Sequence, residues 1–198
     1  MCGIAGVVYE GGRQQDVEAS VRNMIALQHH RGPDGEGFYD TAGASLGHCR
    51  LAIIDLTTTG QQPMSDMDGR YWIIFNGEIY NYVELAEELQ GLGYRFRGRS
   101  DTEVLLAAYK VWGSTCLTRL RGMFAFAIWD EKTKSLFAAR DRLGIKPFHY
   151  WTDGITRLAF ASEIKALLRF LPQRNPNVRL AGEFIAWNVL DHDPDSRC

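Results

Sequence analysis

Cysteine is scarce in this sequence. Cys2, Cys49, Cys116 and Cys198 are its four among 198 residues, and none shares a zinc-type spacing with another. No apolar run is long enough to cross a bilayer. The opening residues are apolar, but no basic leader precedes them and Glu10 interrupts them early, so they do not read as a secretory signal. No charge of one sign dominates. The 22 Lys and Arg face 24 Asp and Glu, a net charge of −2, which points to neither nucleic acid nor an anionic membrane. Internal repeats and low-complexity stretches are absent. A reducing, cytoplasmic setting is expected, and it keeps thiols free.

What remains is a packed globular chain, with 45% hydrophobic and 12% aromatic residues and length enough for one sizeable core. Residues 2–9 read as a buried strand ending at Gly11-Gly12. Residues 16–29 read as a helix with a partial apolar face. Arg31-Gly32-Pro33-Asp34-Gly35-Glu36-Gly37 reads as a loop by composition. Residues 45–54 and 71–75 read as strands. Asn81 with Glu84, and Ser100 with Glu103, each give a capping-box pattern before a helix. Residues 123–130 with 135–141, and 148–151 with 157–162, read as hairpins. A short helix follows over 163–170. Strands with helices grouped near the middle predict an α+β layered fold. From Pro172 the texture turns to Pro, Asn and Asp, and residues 172–198 read as a linker or the start of something else.

Cys2 follows the initiator methionine directly. If Met1 is removed, Cys2 carries both a thiol and a free α-amine. A thiol of pKa about 8.5 needs help near neutrality. An α-amine titrating at about 7.7–8.0 can serve as the adjacent base. Nucleophile and base then share one residue. Other polar residues sit where strands give way to loops or helices. Arg50 interrupts an apolar strand, Asn76-Gly77-Glu78 breaks the strand over 71–75, and Asp101 sits in the first turn of a helix. Each has a plain structural explanation: a surface arginine, a tight turn, a helix-dipole acid. Together they form a coherent set. A free α-amino acid needs a cation for its carboxylate, and Arg binds one bidentately. Its ammonium needs acids such as Glu78 and Asp101. Thiolate attack on a carboxamide creates an oxyanion, which the Asn76 amide and a Gly77 N–H can receive.

On these residues the sequence resembles the class II glutamine amidotransferases, which are N-terminal-nucleophile hydrolases. More narrowly it resembles the glutaminase domain of glutamine-hydrolysing asparagine synthetases. The matching segments run in the family's order: MCGIAGVV, RGPDGEG from Arg31, GHCRLAIIDL from Gly47, QQPM from Gln61, FNGEIYNYVEL from Phe75, SDTEVLL from Ser100, LRGMFAFAIWD from Leu120, ARDRLGIKPFHY from Ala139 and FASEIKALL from Phe160. The RGPDGEG loop and RDRLGIKP point to the asparagine-synthetase branch.

The resemblance implies a four-layer αββα sandwich of two antiparallel sheets. It makes Cys2 the nucleophile, Asn76 and Gly77 the oxyanion hole, Arg50 the carboxylate anchor, and Glu78 and Asp101 the ammonium anchors. Backbone groups near Leu51 and Ile53 would line the pocket. Residues 1–171 would be the glutaminase domain, and 172–198 a linker or the truncated start of a synthetase domain. It implies L-glutamine as substrate and no cofactor or metal in this domain. ATP and Mg would be needed only by the synthetase domain, which would pass the ammonia to an acceptor, aspartate by family. A homodimer is compatible with it.

The chain departs from the family in three places. Cys49 stands where relatives often carry a basic residue, His149 interrupts a usually apolar segment, and no SGG-type phosphate loop is present, so the chain is read as an excised, truncated or free-standing domain. Cys116 and Cys198 are expected to be exposed structural thiols. Three other readings stay open: a non-catalytic binding or regulatory domain of the same fold, an amidotransferase with another acceptor, and a hydrolase of a different amide.

Overall fold

A computed structural model describes residues 1–10, 15–54, 57–171, 175 and 177–188. In order the elements are β1 (Gly3–Tyr9), α1 (Gln15–Ala26), β2 (Gly35–Thr41), β3 (Ala44–Arg50), β4 (Met64–Ser65), β5 (Tyr71–Ile79), α2 (Tyr82–Gly91), α3 (Asp101–Trp112), β6 (Gly122–Asp130), β7 (Ser135–Arg140), β8 (His149–Thr152), β9 (Arg157–Ala161), α4 (Ile164–Leu167) and α5 (Val178–Trp187). The chain divides into two compact units, Met1–Leu167 and Leu168–Cys198. In the second, Asn177 caps α5 by accepting the Leu180 N–H at 3.2 Å, and the helix closes at Asn188 in the left-handed region.

The first unit holds two antiparallel sheets, ordered β2-β3-β1-β9-β8 and β4-β5-β6-β7. Side-chain alternation builds its layers. Ile4 of β1, Ala44 and Leu46 of β3, Ile74 of β5, Ala125, Ala127 and Trp129 of β6 and Phe160 of β9 pack together between the sheets. Their neighbours along the second sheet, Ile73, Phe75, Phe124, Phe126 and Ile128, face the other way and pack with Leu85 and Leu89 of α2 and Val104, Leu105 and Ala108 of α3. On the first sheet α1 lies over β1 and β3, and α4 over β8 and β9. The result is the expected α+β four-layer sandwich of two antiparallel sheets.

Several boundaries differ from those read in the sequence. The 31–37 segment is only partly loop, because β2 begins at Gly35 and pairs with β3 through Thr41. β3 stops at Arg50 instead of running to residue 54. There the loop intervenes: Asp34 N–H donates to Arg50 O at 2.9 Å, and Asp34 Oδ2 accepts the Ala52 N–H at 2.9 Å. The first helix ends at Ala26, and residues 29–31 form a tight 3-10 turn. The Gln28 side chain takes the Met24 carbonyl that a continuing helix would use, while its N–H reaches back to Ile25 O. Asn76-Gly77-Glu78 does not break its strand, since each residue pairs in register with β6.

Asn81 does not cap α2. Its side chain bridges Arg119 O and the Arg121 N–H instead. Ser100 does cap α3, but the Glu103 carboxylate reaches past it to the Arg97 and Gly98 N–H groups. The 163–170 helix divides into α4 and a 3-10 turn at Leu168–Phe170. Residues 172–198 contain α5, whose apolar period the Pro/Asn/Asp texture hides. Cys116 is fully buried, not exposed. The Gly11-Gly12 strand end and Cys198 lie outside the described residues.

Phe126 is fully buried where β6 meets the helices. Phe126→Ala should lower stability by about 3–5 kcal/mol through lost burial and a residual cavity. Urea unfolding of both proteins checks this, and a loss under about 1 kcal/mol would show that the layer collapses to fill the space.

Candidate active site

The alternation that builds the inter-sheet core also builds a site at one end of it. Cys2 precedes Gly3 on β1 and falls on the face of Ile4, two residues on. Arg50 follows Leu46 and His48 on the inward face of β3. Asn76 follows Ile74 on β5. A cavity of about 100 Å³ opens there. Every residue singled out in the sequence lines it: Cys2, Arg50, Leu51, Ile53, Asn76, Gly77, Glu78 and Asp101. Met1 lines it too, as do Gln62, Thr102 and Lys146, which sequence reasoning left without roles. The signal for Gln62 and Lys146 was their place inside the QQPM and RDRLGIKP segments.

The loop after α1 holds the backbone of Cys2. Arg31 Nε donates to Cys2 O at 3.0 Å, and its Nη1 pairs with Glu163 at 3.1 Å. Gly32 lets this loop touch β3, since a Cβ there would lie 2.6 Å from Arg50 C and closer still to Cys49. The anchored segment after β3 then presents Leu51, whose N–H donates to Cys2 Sγ at 3.3 Å. Burial pushes the Cys2 thiol above its ordinary value, while the Leu51 N–H, the terminal ammonium and Arg50 pull it down less strongly. The resting group is a thiol that needs a base.

Arg50 is half-buried, and its guanidinium also donates to Thr57 O at 2.9 Å. His48 on the same face reaches the second sheet, with Nε2 3.2 Å from Phe75 O. The carbonyl can only accept, so Nε2 carries the proton. Burial holds this imidazole neutral, with its pKa lowered to about 3. Cys49 points the opposite way, to Gln28 O on the α1 side, as the alternation requires. His149 is half-buried, and burial lowers its pKa.

Asn76 and Gly77 lie along an uncovered strand edge. β4 pairs with Trp72 and Ile73, so among the described residues β5 has no strand neighbour on that side from Ile74 onward. Phe124, opposite Gly77, spends its N–H and C=O on Asp141 at 3.2 and 2.7 Å. Gly77 therefore turns its own backbone groups away from β6. Phe75 and Ile79, of the same parity, give their N–H groups to Gln62 Oε1 at 2.6 Å and Asp101 Oδ2 at 3.1 Å. The Gly77 N–H lies on that edge between them. A side chain at Gly77 would meet Phe75 Cε2 at 2.6 Å and Phe124 Cα at 2.8 Å, so only glycine fits. Asn76 is 1% exposed, and its amide Nδ2 has no hydrogen-bond partner among the described residues. A buried donor left open at a cavity wall is costly unless something is meant to accept from it.

Asp101 is buried at the start of α3. Burial raises its pKa from 3.8 to about 6, with the nearby Glu78 charge adding to the rise. A cationic ligand group would reverse that penalty. Among the described residues, no cluster of His, Cys, Asp and Glu could hold a metal, and no helix is long and apolar enough to cross a membrane.

Two antiparallel sheets enclosed by helices form the fold of the N-terminal-nucleophile hydrolases. The structure superposes on glutamine phosphoribosylpyrophosphate amidotransferase from B. subtilis with a TM-score of 0.68, covering 84% of this chain and 43% of that one at 22% identity. The chain belongs to the glutamine amidotransferase domain family, whose model matches residues 1–195. It is 47% identical over 170 residues to asparagine synthetase [glutamine-hydrolyzing] 1 of Bacillus subtilis, covering 85% of this chain and 27% of that protein. It is 40% identical over 185 residues to amidase chry2 of Gibberella zeae, covering 86% and 27%. The chain thus spans about a quarter of the length of these curated relatives.

The raised Asp101 pKa has a sign that can be checked. The folded protein holds this proton more tightly than the unfolded chain, so the group's contribution is favourable at low pH and is lost as pH rises from about 4 through about 6. Asp101→Asn keeps an acceptor for the Ile79 N–H and removes the penalty. The variant should gain on wild type by on the order of 2 kcal/mol between pH 4 and pH 7. Urea midpoints at both pH values measure this, and parallel pH curves would contradict it.

Proposed function

We propose that this chain hydrolyses L-glutamine to glutamate and ammonia, with Cys2 as nucleophile. The observation that carries the reading is the open Asn76 amide, buried at the wall of the cavity that Cys2 enters. Removal of Met1 frees the Cys2 α-amine, which takes the thiol proton. The thiolate attacks the side-chain amide carbon, and its C=O becomes an oxyanion facing Asn76 Nδ2 and the Gly77 N–H. The C–N bond breaks as the amine returns the proton to the leaving nitrogen, and ammonia departs. Water then cleaves the γ-glutamyl thioester and restores the thiol. Arg50 holds the substrate carboxylate, and Glu78 and Asp101 hold its ammonium. Leu51 and Ile53 line the pocket.

No metal or cofactor enters this step. We assign residues 1–171 to the glutaminase portion and 172–198 to the connection toward an ATP- and Mg-dependent synthetase portion. The relatives' greater length supports this. The names of the asparagine synthetase relatives make aspartate the acceptor. A cytoplasmic location fits a site that depends on a free thiol. A chain that keeps Met1 has its Cys2 nitrogen locked in a peptide bond. That form lacks its base and would not turn over.

The test is steady-state glutamine hydrolysis by the processed chain. Cys2→Ala should abolish turnover while substrate still binds, and retained activity sinks the mechanism. Asn76→Ala should lower kcat by about 100- to 1000-fold, the cost of one oxyanion donor. Arg50→Ala should chiefly raise KM, because its contact exists in ground and transition states alike. An unchanged KM counts against that role. A chelator should leave the wild-type rate unchanged.

A further inference from the structure

Gln62 is buried at the cavity wall and touches three parts of the first unit. Its backbone carbonyl packs on Gly37 of β2, so tightly that a Cβ there would overlap it. Its side-chain Oε1 accepts the Phe75 N–H of β5 at 2.6 Å. Its Nε2 donates to Thr102 Oγ1 of α3 at 3.2 Å. The other backbone group of Phe75, its carbonyl, accepts from His48 of β3 at 3.2 Å. Side chains thus hold both polar groups of Phe75 where a strand would otherwise do so, which makes Phe75 a fixed point. Asn76 follows Phe75, and Asp101 precedes Thr102.

Beside the direct hydrogen bond from Ile79 to Asp101, Gln62 is therefore a second strut between the strand that carries the oxyanion donors and the helix that carries Asp101, one of the two ammonium acids. In a bound amino acid amide, the α-ammonium and the amide carbonyl lie at opposite ends of one side chain. A fixed separation between their two receptors selects the length of that side chain. We infer that Gln62 is a positioning residue that sets substrate length, matching the site to a glutamine and against the shorter asparagine. This rests on the glutaminase reading.

The test uses the processed 198-residue chain with γ-glutamyl and β-aspartyl hydroxamates, which differ by one methylene. The ratio of their kcat/KM values is read, because it does not depend on the folded fraction of a variant. Gln62→Met keeps the volume and removes both hydrogen bonds. Thr102→Val keeps the shape and cuts only the link to α3. Each should lower the ratio several-fold in favour of the shorter substrate. The double variant should fall no further than Gln62→Met alone, because both changes break one strut. If Gln62→Met fails to fold, Thr102→Val carries the test by itself. A wild-type chain that hydrolyses the glutamyl substrate, with an unchanged ratio in the variants, overturns the inference. A wild-type chain that hydrolyses neither substrate overturns the glutaminase reading, and the inference with it.

Discussion

β5 outlasts its partner. β4 covers two residues of it, and from Ile74 to Ile79 one edge of the strand runs on without a strand neighbour among the described residues. A buried edge of this kind must find acceptors for its N–H groups or carry a heavy penalty. Gln62 answers Phe75 and Asp101 answers Ile79, and Gly77 lies between them. The cavity sits along this edge. The short β4, the glycine at position 77 and the acid at the head of α3 are parts of one arrangement, in which a ligand can take the place of a missing strand.

The charges around the cavity follow from where the layers end. Cys2, Arg50 and Asn76 stand on inward-facing positions just past the last apolar residues, so they are half or fully buried without being packed in hydrocarbon. Burial therefore disfavours both the Cys2 thiolate and the Asp101 carboxylate. Each ion is costly alone and is relieved by an opposite charge. For Asp101 the relief would be a substrate ammonium. For Cys2 it would be the protonated amine on the same residue. Substrate and nucleophile would thus bring their own counter-charges into a site that is strained without them.

Much of this was legible in the sequence because the chemistry sits at breaks in period. Arg50 closes the mostly apolar β3 and Asn76 follows an apolar run within β5, and both line the cavity. The layered α+β fold and both hairpins also follow from alternation. The misreadings have physical causes. β2 carries two glycines and is half-buried apart from the exposed Glu36, so it shows no apolar alternation and looks like loop. Asn76-Gly77 looks like a turn because tight turns favour that pair, yet Gly77 is needed for contact with Phe124 and Met123. Asn81 has a capping composition, but it spends its amide on a distant loop. Gln62 shows in the sequence only as a member of the QQPM segment, with nothing that gives it a role. Its role depends on where Phe75 and Thr102 come together, and no local pattern encodes that.

The central claim is that Cys2, freed of Met1, is a nucleophile inside a glutamine-shaped pocket. Intact mass before and after exposure to a glutamine-like diazoketone tests it most directly. The account predicts a chain lacking Met1 that gains a single adduct, located on Cys2. A processed chain whose Cys2 stays unlabelled would contradict it and leave a binding domain in its place.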